Sequence, residues 1–287
     1  MVKGGEGVLK EGALEIVRVL TSAGYRALWA GGCVRDLLLR EDPKDYDIAT
    51  DADAADVLAL FAGRDATEAK YVGEAFGVVL VHTTRGVFEI ARFREEGDYR
   101  DGRHPESVRS AGEREDAHRR DFTVNGMFFD PLADRVIDYV GGQQDLTDRV
   151  IRTIGPATER FGEDHLRMLR AVRFACRLNW SIHADTMGAI QSLADRITRI
   201  SPERIRDELV LILTEGGAPL GVRFLIESNL ARQILPEILE MEGVPQPPQF
   251  HPEGDVLTHT LIMLGQMESP NPELAFSVLL HDVGKPS

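Results

Sequence analysis

Asp45 and Asp47 stand two residues apart in DYDIAT, a spacing that sends both carboxylates out of one face if the stretch is extended. Two such charges about 4 Å apart repel by roughly 4 kcal/mol at an effective dielectric near 20, so the pair is stable mainly with a cation between them. A hard divalent ion such as Mg2+ takes oxygen ligands of this kind while also binding phosphates. The plainer reading is a solvated strand end or a capping cluster. Just upstream, Gly31 and Gly32 lie between an apolar run and a helical turn, where backbone N–H groups at a helix start can approach an anion. Arg35 is one turn further in and offers a charge-assisted contact to phosphate. Neither GxGxxG nor a GK[ST] loop is present, so a simple tight turn stays open. Glu89 in VFEIARF is an acid in an otherwise apolar strand. Burying it is costly unless it is a third metal-binding carboxylate or the partner of Arg92 or Arg94.

Two further stretches combine acids, arginines and amides. In HRRDFTVN, Asp121 and Asn125 are four apart and would share a face of a helical turn within reach of sugar hydroxyls, with Arg120 beside them for phosphate. An N-cap Asp and a turn-ending Asn would leave the same pattern. In EDHLRMLRAVRFACRL, a helix from Glu163 puts Arg167, Arg170, Arg173 and Arg177 on one stripe and Met168, Ala171, Val172, Ala175 and Cys176 on the other side. The stripe is either a solvated face or an anion- and base-facing one. Asp164 at the helix start, one turn before Arg167, adds the acceptors that a base edge would need beside those donors.

Elements must hold these groups in place. Residues 8–23 read as an amphipathic helix, ALWA as a short buried strand, VRDLLLR as a turn or two of helix and DYDIAT as a strand. ADAADVLALFAG follows as a helix and FGVVLVHTTRGVFEIARF as a hairpin turning at Thr84-Arg85-Gly86. A polar loop then runs from Glu95 to about Glu115. From Gly155 strand signals fade, and helices are expected at about 163–178, 184–197, 202–214, 218–228 and 231–240. VPQPPQFHP, with four prolines in residues 244–252, reads as a stiff linker, and two helices follow it. The expected division is 1–150 as a mixed α/β domain, 151–243 as a helical domain, and 244–287 as linker and helical tail.

Composition excludes several classes. The 287 residues, 43% of them hydrophobic, specify a globular chain of one to three domains. There is no apolar run of about 18 residues, and the start lacks a signal-peptide stretch, so a cytoplasmic location is expected. Cys33 and Cys176 support neither a disulfide framework nor a zinc knuckle. The net charge of −14 argues against a generic nucleic-acid coat. Residues 152–177, however, hold six arginines against three acids, so any RNA contact is local and weakens with salt.

The order GG-x-V-R-D, then D-x-D, resembles the head of the nucleotidyltransferase superfamily that includes DNA polymerase β. With HRRDFTVNGMFFDP, FGEDHLRMLRAVRFACRL and SPERIRDELVLIL following in order, the chain from about residue 25 to 240 resembles the class II tRNA nucleotidyltransferases (CCA-adding enzymes) and bacterial poly(A) polymerases. The resemblance implies a polymerase-β-like α/β head followed by all-helical domains. It also implies template-independent addition of C and/or A to tRNA 3′ ends from CTP and ATP, with Mg2+ held by Asp45 and Asp47 and Glu89 assisting. Gly31, Gly32, Arg35, Arg120, Asp121 and Asn125 would bind the nucleotide's phosphates and sugar. Asp164 and Arg167 would pair with its base, while Arg170 and Arg173 would contact triphosphate or hold that template. EEGDYRDGRHP, 95–105, would be a moving loop. Rival readings are a poly(A) polymerase, a CC-only or A-only specialist, and a non-catalytic RNA-binding protein. His259 with His281-Asp282 resembles the opening of an HD phosphohydrolase-type domain, which would make the head regulatory. The later Asp of such a site does not occur before Ser287, through truncation or as a vestige, and helix packing is expected instead.

Overall fold

The computed structural model describes residues 6–64, 67–72, 77–97, 107–247, 249 and 254–286. They divide into two compact units: the described residues up to 97 with 107–148, and 149–286. The loop expected over 98–106 and part of the proline-rich stretch lie outside the described residues.

The first unit is a mixed α/β domain, as its patterning predicts. Its helices are α1 (Glu6–Ser22), α2 (Gly32–Leu38), α3 (Ala54–Phe61), α4 (Glu113–His118) and α5 (Gly142–Asp148). Its strands are β1 (Ala27–Ala30), β2 (Asp47–Thr50), β3 (Glu68–Val72), β4 (Val78–Thr83), β5 (Gly86–Arg92), β6 (Arg94–Glu96), β7 (Val108–Ser110), β8 (Phe128–Asp130) and β9 (Arg135–Ile137). Seven strands form one sheet in the order β3-β4-β5-β2-β1-β8-β9, while β6 and β7 pair separately. The segment expected to be wholly loop, Glu95 to Glu115, thus begins with a strand and carries a second one and a helix start.

All four residues of β1 are buried, so the sheet is covered on both faces. Trp29, Ile48, Phe88 and Ile90 join one core cluster with Ile16 and Leu20 of α1 and Val57 and Phe61 of α3. Leu28, Ala30, Ala49 and Phe128 join another with Phe93 and with Ala117 of α4. Because side chains alternate along a strand, Asp47 leaves β2 on the side of Ala49, away from Ile48. The parallel register Ile48↔Ile90 and Ala49↔Ala91 carries Glu89 alongside Asp47.

The second unit is helical, apart from a two-residue parallel pair, β10 (Val150–Ile151) with β11 (Ser181–Ile182). Its helices are α6 (Ala157–Glu163), α7 (Arg167–Leu178), α8 (Ala184–Leu193), α9 (Pro202–Thr214), α10 (Ala218–Glu227), α11 (Leu230–Ile234), α12 (Glu237–Glu240), α13 (Val256–Gly265) and α14 (Pro272–Leu280). Three expected helices come out differently. The one from Glu163 is interrupted, with α6 ending at Glu163 and Asp164 extended at φ −141° before α7 begins. The one expected at 184–197 passes into a 3₁₀ turn at Ala194–Arg199. The one expected at 231–240 divides around Pro236, whose ring removes a backbone donor and restricts the residue before it. Among the described residues, no helix is long and apolar enough to cross a membrane.

Helix α5 packs under the 3₁₀ turn Thr123–Asn125 through Gly142. A Cβ there would run into the Thr123 carbonyl oxygen and lie 2.8 Å from Met127 Cγ. Gly142→Ala should therefore destabilise the chain by about 1–3 kcal/mol, the usual cost of overpacking a core. Denaturant unfolding of parent and variant checks this; equal midpoints would contradict the packing described.

Candidate functional site

The first unit gathers three carboxylates around the start of β2. Asp47 opens β2, Asp45 precedes it in non-strand backbone rather than on the strand as expected, and Glu89 lies on neighbouring β5. Arg92 pairs with Asp53, and Arg94 pairs with Glu96 at 2.9 Å. Neither of the expected partners therefore engages Glu89, which has no ion pair among the described residues. Protein crowds the Asp47 carboxylate although the residue keeps solvent contact. Desolvation first, then the charges of Asp45 and Glu89, push its pKa up to about 6 from 3.8, and Arg120 pulls the other way. A surplus of negative charge on hard oxygen donors is the donor set that a divalent cation such as Mg2+ fits.

The glycine turn lies beside this cluster. Gly31 adopts φ 75° and ψ −129°, a conformation open to glycine, and its N–H donates to the Met127 carbonyl. A Cβ on Gly31 would stand 2.9 Å from Arg120 Nη1, so the missing side chain makes room for the guanidinium. Gly32 begins α2. Arg120 itself lies over the Phe128 ring at 5.1 Å and donates to the carboxylate of Asp116.

Arg35 is placed differently from the expected phosphate contact. It is 2% exposed. Its Nε and Nη2 reach Asp36 Oδ1 at 2.8 and 2.6 Å, and Nη1 donates to Asn125 Oδ1 at 2.7 Å. Its geometry is that of a brace for Asn125. The Asn125 amide reaches Asp121 Oδ1 at 3.4 Å, and the same oxygen accepts the Phe122 N–H at 2.8 Å. Asp121 and Asn125 are thus together, as their spacing suggests, across an extended residue and a 3₁₀ turn.

In the second unit, Asp164 lies at the break between α6 and α7. Its Oδ1 accepts the Leu166 N–H at 3.0 Å, which closes the turn, and its Oδ2 accepts Arg204 Nη2 at 3.2 Å. Arg167, at the start of α7, donates to the Arg160 carbonyl at 3.1 Å and pairs with Glu163. The arginine stripe is not a plain solvated face. Arg167 and Arg173 are buried, and Arg173 pairs with Glu208 at 2.7 Å with its guanidinium 4.4 Å from the Phe174 ring centre. Arg170 lies over the same ring at 5.3 Å.

His259, His281 and Asp282 bring potential ligand atoms within 4.8 Å of one another. The Asp282 carboxylate is engaged by Lys285 Nζ at 2.7 Å and faces His281 Nε2 at 3.2 Å, and Lys285 also holds Gln246. These are the three residues that the resemblance to the opening of an HD-type domain singled out. Cys33 and Cys176 are buried thiols, each pushed up to about 12 chiefly by desolvation, and are unsuited to nucleophilic work at neutral pH.

Asp116, Arg204 and Glu208 escaped the reading of the sequence as functional positions. Asp116 stands four residues before Arg120, the spacing of a helical ion pair, but directly after the stretch taken for loop. Arg204 and Glu208 lie in SPERIRDELVLIL, legible as a helix but with partners about 40 residues away.

Comparison with known proteins accords with this geometry. The model of the "Poly A polymerase head domain" matches residues 27–152, and that of the "Probable RNA and SrmB-binding site of polymerase A" matches 179–241. A CCA-adding enzyme of Oceanobacillus iheyensis is 38% identical over 223 residues, covering 77% of this chain and 54% of its own. Poly(A) polymerase I of Salmonella typhimurium is 38% identical over 248, covering 80% and 51%. The chain belongs to the class II tRNA nucleotidyltransferase and bacterial poly(A) polymerase family. The crystal structure of the Bacillus stearothermophilus CCA-adding enzyme in complex with CTP superposes with a TM-score of 0.78 at 31% identity, over 96% of this chain and 63% of that one. The polymerase-β-like head followed by helical regions is the architecture of this family. The chain spans about half the length of the curated relatives it matches.

The raised pKa of Asp47 has a consequence for stability. Its folded-state value, about 6 against an ordinary 3.8, means that stability present at low pH is lost as pH rises through about 6. Without divalent metal, Asp47→Asn should melt at the same temperature as the parent near pH 4 and higher than the parent at pH 8. Thermal melts across that range in chelator check it; a gap independent of pH would contradict the electrostatic cause.

Proposed function

We propose that this chain adds C and/or A residues to tRNA 3′ ends from CTP and ATP without a nucleic-acid template. The observation that carries the reading is the cluster of Asp45, Asp47 and Glu89 around the start of β2, with Arg120 as the opposing cation beside a glycine turn. Asp45 and Asp47, with Glu89 at their side, would hold Mg2+. Bound there, the metal supplies Lewis-acid stabilisation of the attacking 3′-oxygen and of the departing pyrophosphate.

The chain's own residues position the reactants, since phosphoryl transfer depends mostly on alignment and charge stabilisation. Gly32 leaves the start of α2 open to the triphosphate, and Arg120, admitted by Gly31, donates to it. Asp121 and Asn125 address the ribose hydroxyls, with Arg35 bracing Asn125 rather than meeting phosphate. Asp164 and Arg167 supply an acceptor and a donor for a base edge. Arg204 and Glu163 set the orientation of those two, and Arg173 anchors α7 to α9 through Glu208. Arg170 stands on the same helix, next to Arg173. Residues 1–150 would then be the catalytic head and 151–243 the recognition and RNA-binding part. Residues 244–287 would be a linker with an HD-like segment. The chain would work in the cytoplasm.

The two family descriptions leave poly(A) addition as the specific rival. Purified chain given tRNA ending before CCA, tRNA at the CC stage, or unrelated RNA, with each nucleotide in turn, separates them by product length. Addition that stops at CCA is expected. Unlimited A-tails would mean a poly(A) polymerase, stopping at CC or adding only the final A a specialist, and phosphate release without primer extension a phosphohydrolase. Asp45→Ala or Asp47→Ala should lower incorporation by at least about 10²–10³-fold, the range for loss of a positioned electrostatic group, with the melting profile still cooperative. Near-parental incorporation by either variant would overturn the reading.

A further inference from the structure

Asp116 occupies a position that the proposed chemistry does not use directly. It is 1% exposed, on the short helix α4. Its carboxylate is divided between Arg120, beside the Gly31 turn, and a group made of Arg119 and the start of β6. Oδ2 accepts Arg120 Nε at 3.3 Å and Nη2 at 3.0 Å. Oδ1 accepts Arg119 Nε at 2.8 Å and the backbone N–H of Arg94 at 3.2 Å. Burial pushes the carboxyl up, but Arg120 and Arg119 outweigh it and hold the group below its ordinary value. Asp116 is therefore a charged acceptor across the working pH range.

The geometry is specific about what the acceptor controls. Arg120 uses two of its nitrogens on Asp116, and Nη1 remains directed toward the Gly31 turn and the Asn125 carbonyl at 3.5 Å. A guanidinium gripped along one edge presents the other edge in a fixed plane. Without the grip, a long arginine in front of an open cleft would sample several rotamers, and each encounter with a triphosphate would carry the cost of ordering it. The same carboxylate fixes the start of β6 through Arg94. Glu96, two residues along that strand, accepts Arg119 Nη1 at 3.2 Å and pairs with Arg94. The paired strands β6 and β7 and Arg120 thus share one anchor.

We infer that Asp116 is a positioning residue for the incoming nucleotide: it preorganises Arg120 toward the triphosphate and ties that orientation to the start of β6, which pairs with β7. This rests on the nucleotide-transfer reading above, in which Arg120 meets the triphosphate. The predicted consequence is a binding defect in which Asp116 and Arg120 act as one unit. A residue that merely supported the fold would weaken function independently of Arg120.

The test is a double-mutant cycle on the full chain, with CTP and ATP binding measured by equilibrium dialysis with Mg2+ and no RNA, and KM and kcat from primer extension. Asp116→Asn should weaken binding of both nucleotides at least tenfold, raising KM more than it lowers kcat. Asp116→Glu, which keeps the charge, should recover part of the loss. Asp116→Asn combined with Arg120→Ala should bind no more weakly than Arg120→Ala alone. Parental binding by Asp116→Asn overturns the inference, as do losses that multiply in the double variant. Should Asp116→Asn fail to melt cooperatively, Asp116→Glu decides, since parental affinity and KM in that variant overturn it as well. A parent chain that binds neither nucleotide defeats the nucleotide-transfer reading and this assignment with it. A parent that binds while the cycle is additive defeats the assignment alone.

Discussion

Electrostatic repulsion among Asp45, Asp47 and Glu89 is the constraint around which the first unit is arranged. Sheet register brings Glu89 beside Asp47, so the clustering of like charge follows from the backbone and cannot be relieved by a rotamer change alone. A folded chain tolerates this where apolar packing beneath the strands supplies the stability that the charges remove. Ile48 and Ile90, which alternate with the acids, belong to the core built on α1 and α3. Each strand thus carries stabilising residues on one face and a destabilising acid on the other. The pKa of Asp47, displaced upward by desolvation first and then by the charges of Asp45 and Glu89, is the thermodynamic mark of that trade.

The cation opposed to this cluster is itself constrained. Arg120 reaches its place because Gly31 has no side chain, and it keeps its direction because Asp116 is buried and ionised beside it. Arg35, three residues into the same glycine-led segment, does analogous work for Asn125 by way of Asp36. In both cases one arginine is held by one buried acid and aimed at another element. Such pairs contribute little net stability once desolvation is counted, and what they supply is orientation.

Much of this was legible in the sequence. The apolar run ALWA and the paired-strand signal ending in VFEIARF marked the sheet, and the hairpin at Thr84-Arg85-Gly86 was placed correctly. What local patterns could not show was partnership over long separations. Arg35 reads as a phosphate ligand because an arginine near a glycine pair usually has a free guanidinium; only the fold brings Asn125, ninety residues on, to meet it. Asp164 reads as the start of a helix because EDHLRMLR has helical spacing throughout. Its side chain instead closes a turn onto Leu166, a local competitor to the helix ladder that sequence periodicity does not register. Asp116 was hidden by the polar composition of its surroundings, which resembles loop.

The arginines of α7 extend the same logic to recognition. In a chain with a net charge of −14, a row of free guanidinium groups would draw in any polyanion without regard to its bases. Glu163 neutralises Arg167, and Glu208 with Glu215 neutralises Arg173, so what the helix presents is direction more than charge. A base edge is distinguished by where donors and acceptors lie, and a paired, buried arginine with fixed N–H vectors discriminates better than a mobile one. Asp164, clamped between the Leu166 N–H and Arg204, would supply the matching acceptor in the proposed reading, with equally little freedom. If the chain selects nucleotides without a nucleic-acid template, as proposed, this rigidity would hold the pattern that a template strand otherwise provides.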